Sequence, residues 1–274
     1  MITRSVVIDG QPIRVNVRPG RHSGTPLLLI NGIGAPLELL QPFVDELPDD
    51  LEVVRFDVPG IGGSPLPSLP YRFTGLCRRI ARLLSFLGYP SADVLGVSWG
   101  GAVAQHFAAF QPRHCRRLVL VSTATGALMV PGKPSVLIKM ATPRRYTDAA
   151  YLRRIAPSLY GGSARTDPAS IQEMLDAESQ VGSSQGYLYQ LMAGAGWTSL
   201  PFIRLIRQQT LVMAGDDDPI VPLANARLLN ALIPHSRLHV FHGGHLGLVT
   251  EADSVAPVIS RFLEEGKQCP TSTG

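Results

Sequence analysis

Short apolar runs alternating with helix-like stretches constrain this chain more than any other feature. The runs are PLLLI (26–30), LEVVRFDV (51–58), ADVLGV (92–97), RRLVLVS (116–122), QTLVMAG (209–215) and RLHVFH (237–242). Helical patterns over 36–47, 74–88, 99–111, 223–232 and 251–265 separate most of them. A strand that is apolar at every position is one buried on both faces. Strands of that kind alternating with helices predict an α/β fold, a mostly parallel central sheet with helices on both sides. Ahead of the first run, SVVIDGQPIRVNV reads as two strands turned at Asp9-Gly10. With 274 residues, 45% of them hydrophobic, the chain is long enough for one large domain with a full core.

The alternation stops between residues 126 and 200. That segment is rich in Tyr, Met, Leu, Gly and Pro and carries helical pieces without a convincing strand. It is too long for an ordinary connection, and insertions of this length often cover sites. The expected organisation is a body of residues 1–125 and 201–266, a helical lid over 126–200, and a polar, frayed tail at 267–274.

Composition excludes several classes of function. The net charge is +4, and the arginines stand in short, scattered groups: Arg78, Arg79 and Arg82; Arg113, Arg116 and Arg117; Arg144 and Arg145; Arg153 and Arg154. None is interleaved with aromatic residues, so they read as solvated faces and no nucleic-acid partner is expected. The N-terminus lacks the basic start, apolar centre and small-residue cleavage site of a signal peptide. No apolar run approaches the roughly 18 residues of a transmembrane segment. Three dispersed cysteines, Cys77, Cys115 and Cys269, read as free thiols in a reducing compartment. The expected location is the cytoplasm.

Gly96-Val97-Ser98-Trp99-Gly100 is a G-x-S-x-G pattern between a strand and a helix. Small residues at 96 and 100 let the chain fold back sharply, which lifts the Ser98 hydroxyl at the carboxyl end of the sheet. A plain helix N-cap is the competing role for that serine. A serine nucleophile needs a base. Of the seven histidines, His106 lies two turns along the following helix and His239 lies inside a strand. His22 and His114 sit among arginines, and His235 follows a proline. FHGGHLGLV, directly after the last strand, leaves His245 as the candidate base and His242 as the alternative. The base needs an orienting carboxylate. In GDDDP, after the preceding strand, Asp216 and Asp217 suit turn or solvent positions, and Asp218 is the candidate partner. The order Ser98, Asp218, His245 is the one that accompanies G-x-S-x-G on such a sheet. The backbone N–H groups of Ile33, in NGIGAP, and of Trp99 are the candidate oxyanion donors. GALMVPGKPS fails as a phosphate loop in spacing and in Pro134, and PGIGGS lacks the third dinucleotide glycine. No metal or organic cofactor is implied.

These motifs resemble the α/β-hydrolase superfamily. From about residue 5 to 265 the chain is similar, more narrowly, to the intracellular medium-chain-length polyhydroxyalkanoate depolymerases. NGIGAPLELLQPF, FDVPGIGGS, GVSWGGAVAQ, MVPGKPSVL, PRRY, RIAPSLYGG, GWTS, AGDDDPIVPL and GHL carry the similarity. It assigns that family's serine, aspartate and histidine to Ser98, Asp218 and His245. The chain departs from the family pattern at His242, Gly243 and Gly247, which bears on substrate preference. The resemblance implies hydrolysis of ester bonds in stored aliphatic polyester, releasing 3-hydroxy acids, with the polymer granule surface as a partner. A carboxylesterase or lipase on small esters, a carbon–carbon bond hydrolase or perhydrolase, and a non-catalytic granule binder are the other functions compatible with the same motifs.

Overall fold

The computed structural model describes residues 2–21, 24–142, 148–168, 171 and 184–265. The tail 267–274 with Cys269, the pair Arg144 and Arg145, and His22 lie outside the described residues, as do parts of the 126–200 segment.

Eight strands form one sheet: β1 (Ile2–Ile8), β2 (Gln11–Arg18), β3 (Leu27–Ile30), β4 (Val53–Phe56), β5 (Ala92–Val97), β6 (Cys115–Val121), β7 (Gln209–Gly215) and β8 (Ser236–Phe241). Their order is β1-β2-β4-β3-β5-β6-β7-β8. β1 and β2 are an antiparallel hairpin, and β2 pairs antiparallel with β4. From β4 through β8 every pairing is parallel. The α/β class expected from the alternating runs is the class observed.

The apolar runs are continuous because each strand feeds two cores. Leu28, Ile30, Val94, Leu118, Leu120 and Val212 face one side, against α2 (Phe73–Phe86), α3 (Trp99–Phe110) and α8 (Leu223–Leu232). Leu27, Leu29, Leu95, Val119, Leu211 and Met213 face the other, against α1 (Gln41–Asp45) and α10 (Ala252–Glu264). Alternate residues of a strand point to opposite faces, so a run without polar interruptions is what two cores demand.

The expected helix over 36–47 is broken into a 3-10 turn, Leu37–Leu40, and the short α1, whose first turn contains Pro42. The expected strand 51–58 is cut back to β4, although the Asp57 N–H still donates to Arg14 O at 3.0 Å. The buried Asp57 carboxylate accepts the Leu37 N–H at 2.7 Å and the Gly63 N–H at 2.8 Å, and it pairs with Arg14. The expected helix over 251–265 is observed as α10, preceded by a separate turn, α9 (Gly247–Thr250).

Between β6 and β7 lie α4 (Pro134–Ala141), α5 (Ala149–Tyr160), α6 (Ser163–Thr166) and α7 (Ser184–Gly194). Val136, Leu152, Leu159 and Tyr160 from this stretch pack with Ile220 and Val221, which follow β7. Among the described residues, no helix is long and apolar enough to cross a membrane.

His106 lies in an aromatic cluster that joins α3 to the chain before β7. Its ring centroid is 4.6 Å from that of Phe110 and 5.6 Å from that of Phe202. Trp197 Nε1 donates to His106 Nδ1 at 3.4 Å, so the proton of the neutral ring sits on Nε2, 3.3 Å from Thr74 Oγ1. Burial holds the His106 pKa below its usual 6.5. The unfolded chain therefore binds this proton more readily. The contribution to stability is complete above about pH 6.5 and is lost as pH falls below it. Urea unfolding between pH 7 and pH 5 is expected to show a falling midpoint in the wild type and a shallower fall in His106→Phe. Identical slopes would remove His106 as a source.

Candidate active site

Ser98 connects β5 to α3 at φ 53° and ψ −117°, a backbone conformation that L-residues rarely adopt. The turn is held by Ser98 N–H donating to Val121 O at 2.9 Å and by Thr123 Oγ1 donating to Ser98 O at 2.7 Å. Close approach sets the neighbouring residues. A Cβ on Gly96 would overlap the Gly100 carbonyl, and one on Gly100 would overlap the carbonyl oxygens of Ile30 and Asn31. Although Ser98 occupies the N-cap position of α3, its side chain makes no capping hydrogen bond. Its Oγ instead lies 3.1 Å from His245 Nε2, so the competing capping role is not the one observed.

His245 stands on the loop after β8, with its N–H donating to Tyr160 O at 2.7 Å. Its Nδ1 lies 2.8 Å from Asp218 Oδ2. Both residues are buried. The second carboxylate oxygen of Asp218 accepts the N–H groups of Ile220 and Val221, each at 2.9 Å. Those two bonds orient the carboxylate. The Nδ1–H then donates to Asp218, which leaves Nε2 as the acceptor for the Ser98 hydroxyl. Ser98, His245 and Asp218 thus form one hydrogen-bonded chain.

The neighbouring acids and the alternative histidine lie apart from that chain. His242 is solvent-exposed, with Nδ1 2.9 Å from Asp216 Oδ2. The Asp216 carboxylate raises the His242 pKa, and the His242 hydrogen bond lowers that of Asp216. Asp217 accepts the Gly162 N–H at 2.8 Å and pairs with Arg165 at 2.9 Å. Cys77 and Cys115 are buried, and burial pushes both thiols above their usual pKa, away from nucleophilic use.

The loop after β3 lies against the serine: a Cβ on Gly32 would sit 3.7 Å from Ser98 Cβ. Among the described residues, neither the Ile33 N–H nor the Trp99 N–H has a hydrogen-bond acceptor. Two apolar cavities flank Ser98, of about 50 Å³ and about 250 Å³, and Met140 and Ile220 line both. The smaller is lined further by Ile33, Leu39, Leu246 and Val249, the larger by Phe73, Trp99, Met129 and Trp197. A polarised hydroxyl between two apolar pockets can attack an ester carbonyl whose arms extend both ways. Among the described residues, no group of three or more His, Cys, Asp or Glu is arranged to hold a metal ion.

Sequence reading did not foresee the roles of three residues near this site. Tyr160 supplies the carbonyl for the His245 N–H. Gly101 packs so closely on the Thr123 side chain that a Cβ there would meet it at 2.5 Å. Gln190 is fully buried and accepts the Gly34 N–H at 2.7 Å. Only Gln190 left a visible sign, a lone amide inside the apolar stretch YLYQLM.

Residues 25–252 match the family described as alpha/beta hydrolase fold. The chain is 52% identical over 267 residues to a protein of Ectopseudomonas oleovorans named poly(3-hydroxyalkanoate) depolymerase, covering 97% of this chain and 94% of that one. It is 26% identical to 3-oxoadipate enol-lactonase 2 of Acinetobacter baylyi, covering 93% and 96%. The crystal structure of the enol-lactonase from Burkholderia xenovorans LB400 superposes with a TM-score of 0.82 at 24% identity, over 96% of this chain and all of that one. With the family matched from β3 to the start of α10, and a sheet of this order behind the elbow at Ser98, the chain belongs to the α/β-hydrolase fold family.

Proposed function

We propose that this protein is a serine ester hydrolase that cleaves the ester bonds of poly(3-hydroxyalkanoate) and releases 3-hydroxy acids. The observation that carries this reading is the 52% identity, along almost the whole of both chains, to a protein named poly(3-hydroxyalkanoate) depolymerase. The hydrogen-bonded chain of Ser98, His245 and Asp218 supports it.

Ser98 Oγ attacks the ester carbonyl while its proton passes to His245 Nε2. Asp218 holds the imidazole in the required tautomer and stabilises the imidazolium that forms. The Ile33 and Trp99 N–H groups receive the charge that develops on the carbonyl oxygen. Each donor of that kind is worth on the order of 100- to 1000-fold in rate. Collapse of the tetrahedral adduct expels the alcohol end of the neighbouring monomer, which takes its proton from His245. Water, deprotonated by the same histidine, then attacks the acyl-enzyme and releases the acid.

Residues 1–125 and 201–266 serve in this reading as the hydrolase body, and 126–200 as a helical lid. Leu128, Ile138, Leu188 and Met192 expose apolar side chains on that segment, a surface suited to a cytoplasmic polymer granule. The two cavities beside Ser98 receive the acyl arm and the alcohol arm of the scissile ester.

Ser98→Ala is expected to reduce ester turnover on the order of 10⁴-fold or more, and Asp218→Asn by about 10⁴-fold, with the protein still folded. Near wild-type rates in either variant would refute the mechanism. On substrates, purified protein is expected to release 3-hydroxy acids from dispersed medium-side-chain polyester, identified by mass spectrometry. Rapid cleavage of short nitrophenyl esters with negligible polymer hydrolysis would favour a carboxylesterase for small soluble substrates.

A further inference from the structure

One polar side chain of α7 reaches the loop after β3. Gln190 is fully buried, and its Oε1 accepts the Gly34 N–H at 2.7 Å. That bond fixes which end of the amide faces Gly34, and Nε2 has no partner among the described residues. The backbone carbonyl of Gln190 accepts the Trp99 indole N–H at 3.0 Å. A single residue therefore touches both segments that carry the Ile33 and Trp99 amides.

Gly32 to Ala35 form a turn closed by Ala35 N–H donating to Gly32 O at 3.3 Å, with Gly34 at φ 76°. A left-handed third residue marks a type II turn, and types I and II differ mainly in a flip of the central peptide. Here the central peptide joins Ile33 to Gly34, and its N–H is the group that Gln190 holds. The contact is a costly way to fill space. An apolar side chain of similar size would remove the idle Nε2 but would leave the buried Gly34 N–H without an acceptor.

We infer that Gln190 is a positioning residue for the oxyanion site. It pins the loop that carries the Ile33 N–H to the segment that carries the Trp99 N–H, which fixes the two donors relative to each other, and so makes a docked α7 part of the catalytic apparatus. This rests on the oxyanion role proposed above for Ile33.

The test uses the full chain with nitrophenyl hexanoate. Gln190→Met removes the amide, and Gln190→Asn is too short to reach Gly34. Both are expected to lower kcat about 10- to 100-fold with KM within about twofold. Inhibition by hexylboronic acid, whose adduct on Ser98 is tetrahedral and anionic, is expected to weaken by the same factor. Gln190→Glu keeps an acceptor for the Gly34 N–H and is expected to stay within about fivefold of the wild-type kcat. Unchanged boronate affinity in both amide-removing variants, a loss confined to KM, or an equal loss in Gln190→Glu would overturn the assignment alone. A wild-type chain without ester turnover would overturn it together with the proposed reaction.

Discussion

The backbone contact between the start of α3 and the end of β3 is the constraint on which the rest of the site depends. Gly100 lies against the carbonyls of Ile30 and Asn31, with no room for a side chain between them. That approach lets the chain turn within one residue, with Ser98 at a positive φ. A residue held in such a region costs about 1–3 kcal/mol, so it persists only where the surroundings over-determine it. Here they do, through the hydrogen bonds from Ser98 N–H to Val121 and from Thr123 to Ser98 O. The same contact sets the distance from Ser98 to the Asn31–Ala35 loop. Ser98 and the loop that holds Ile33 are thus placed by one packing contact in the sheet.

A second consequence follows at the other side of the serine. The sequence places three adjacent aspartates after β7, and three charges cannot share one environment. The fold separates them. Asp216 meets His242 in solvent, Asp217 meets Arg165 and the Gly162 amide, and Asp218 turns inward to His245. The two backbone amides on its second oxygen are supplied by Ile220 and Val221, which also pack against α4 and α5. Orientation of the acid and packing of the segment before β7 are therefore coupled.

The sheet was legible because burial on both faces writes a largely apolar run, and five such strands stand at its centre, with Arg55 in β4 and Asp93 in β5 as buried exceptions. Ser98, Asp218 and His245 were legible because each follows a strand of the parallel set, and such loops gather at one edge. Helix 36–47 was misjudged in form because its apolar spacing hid Pro42, which starts a new turn after a 3-10 segment. The binding role of the Asp57 carboxylate was invisible, since its partners Leu37, Gly63 and Arg14 come from three separate segments. Gln190 and Gly34 stand 156 residues apart, and no local pattern announces a contact of that range. Local periodicity reports burial; it does not report which distant backbone group a buried amide will meet.

The stretch between β6 and β7 supplies contacts to both loops beside the serine. Tyr160 at the end of α5 accepts the His245 N–H, and Gln190 on α7 accepts the Gly34 N–H. Met140 at the end of α4 lines both cavities beside Ser98. Ile220, whose amide is tied to Asp218, lines both as well. One shared lining residue is therefore anchored to the acid, while the other is an unbranched thioether that adapts to what it meets. An ester entering there is held against a fixed wall and accommodated by a pliable one. Such a division suits a site that must grip the carbonyl geometry tightly while tolerating differences in the apolar arms on either side.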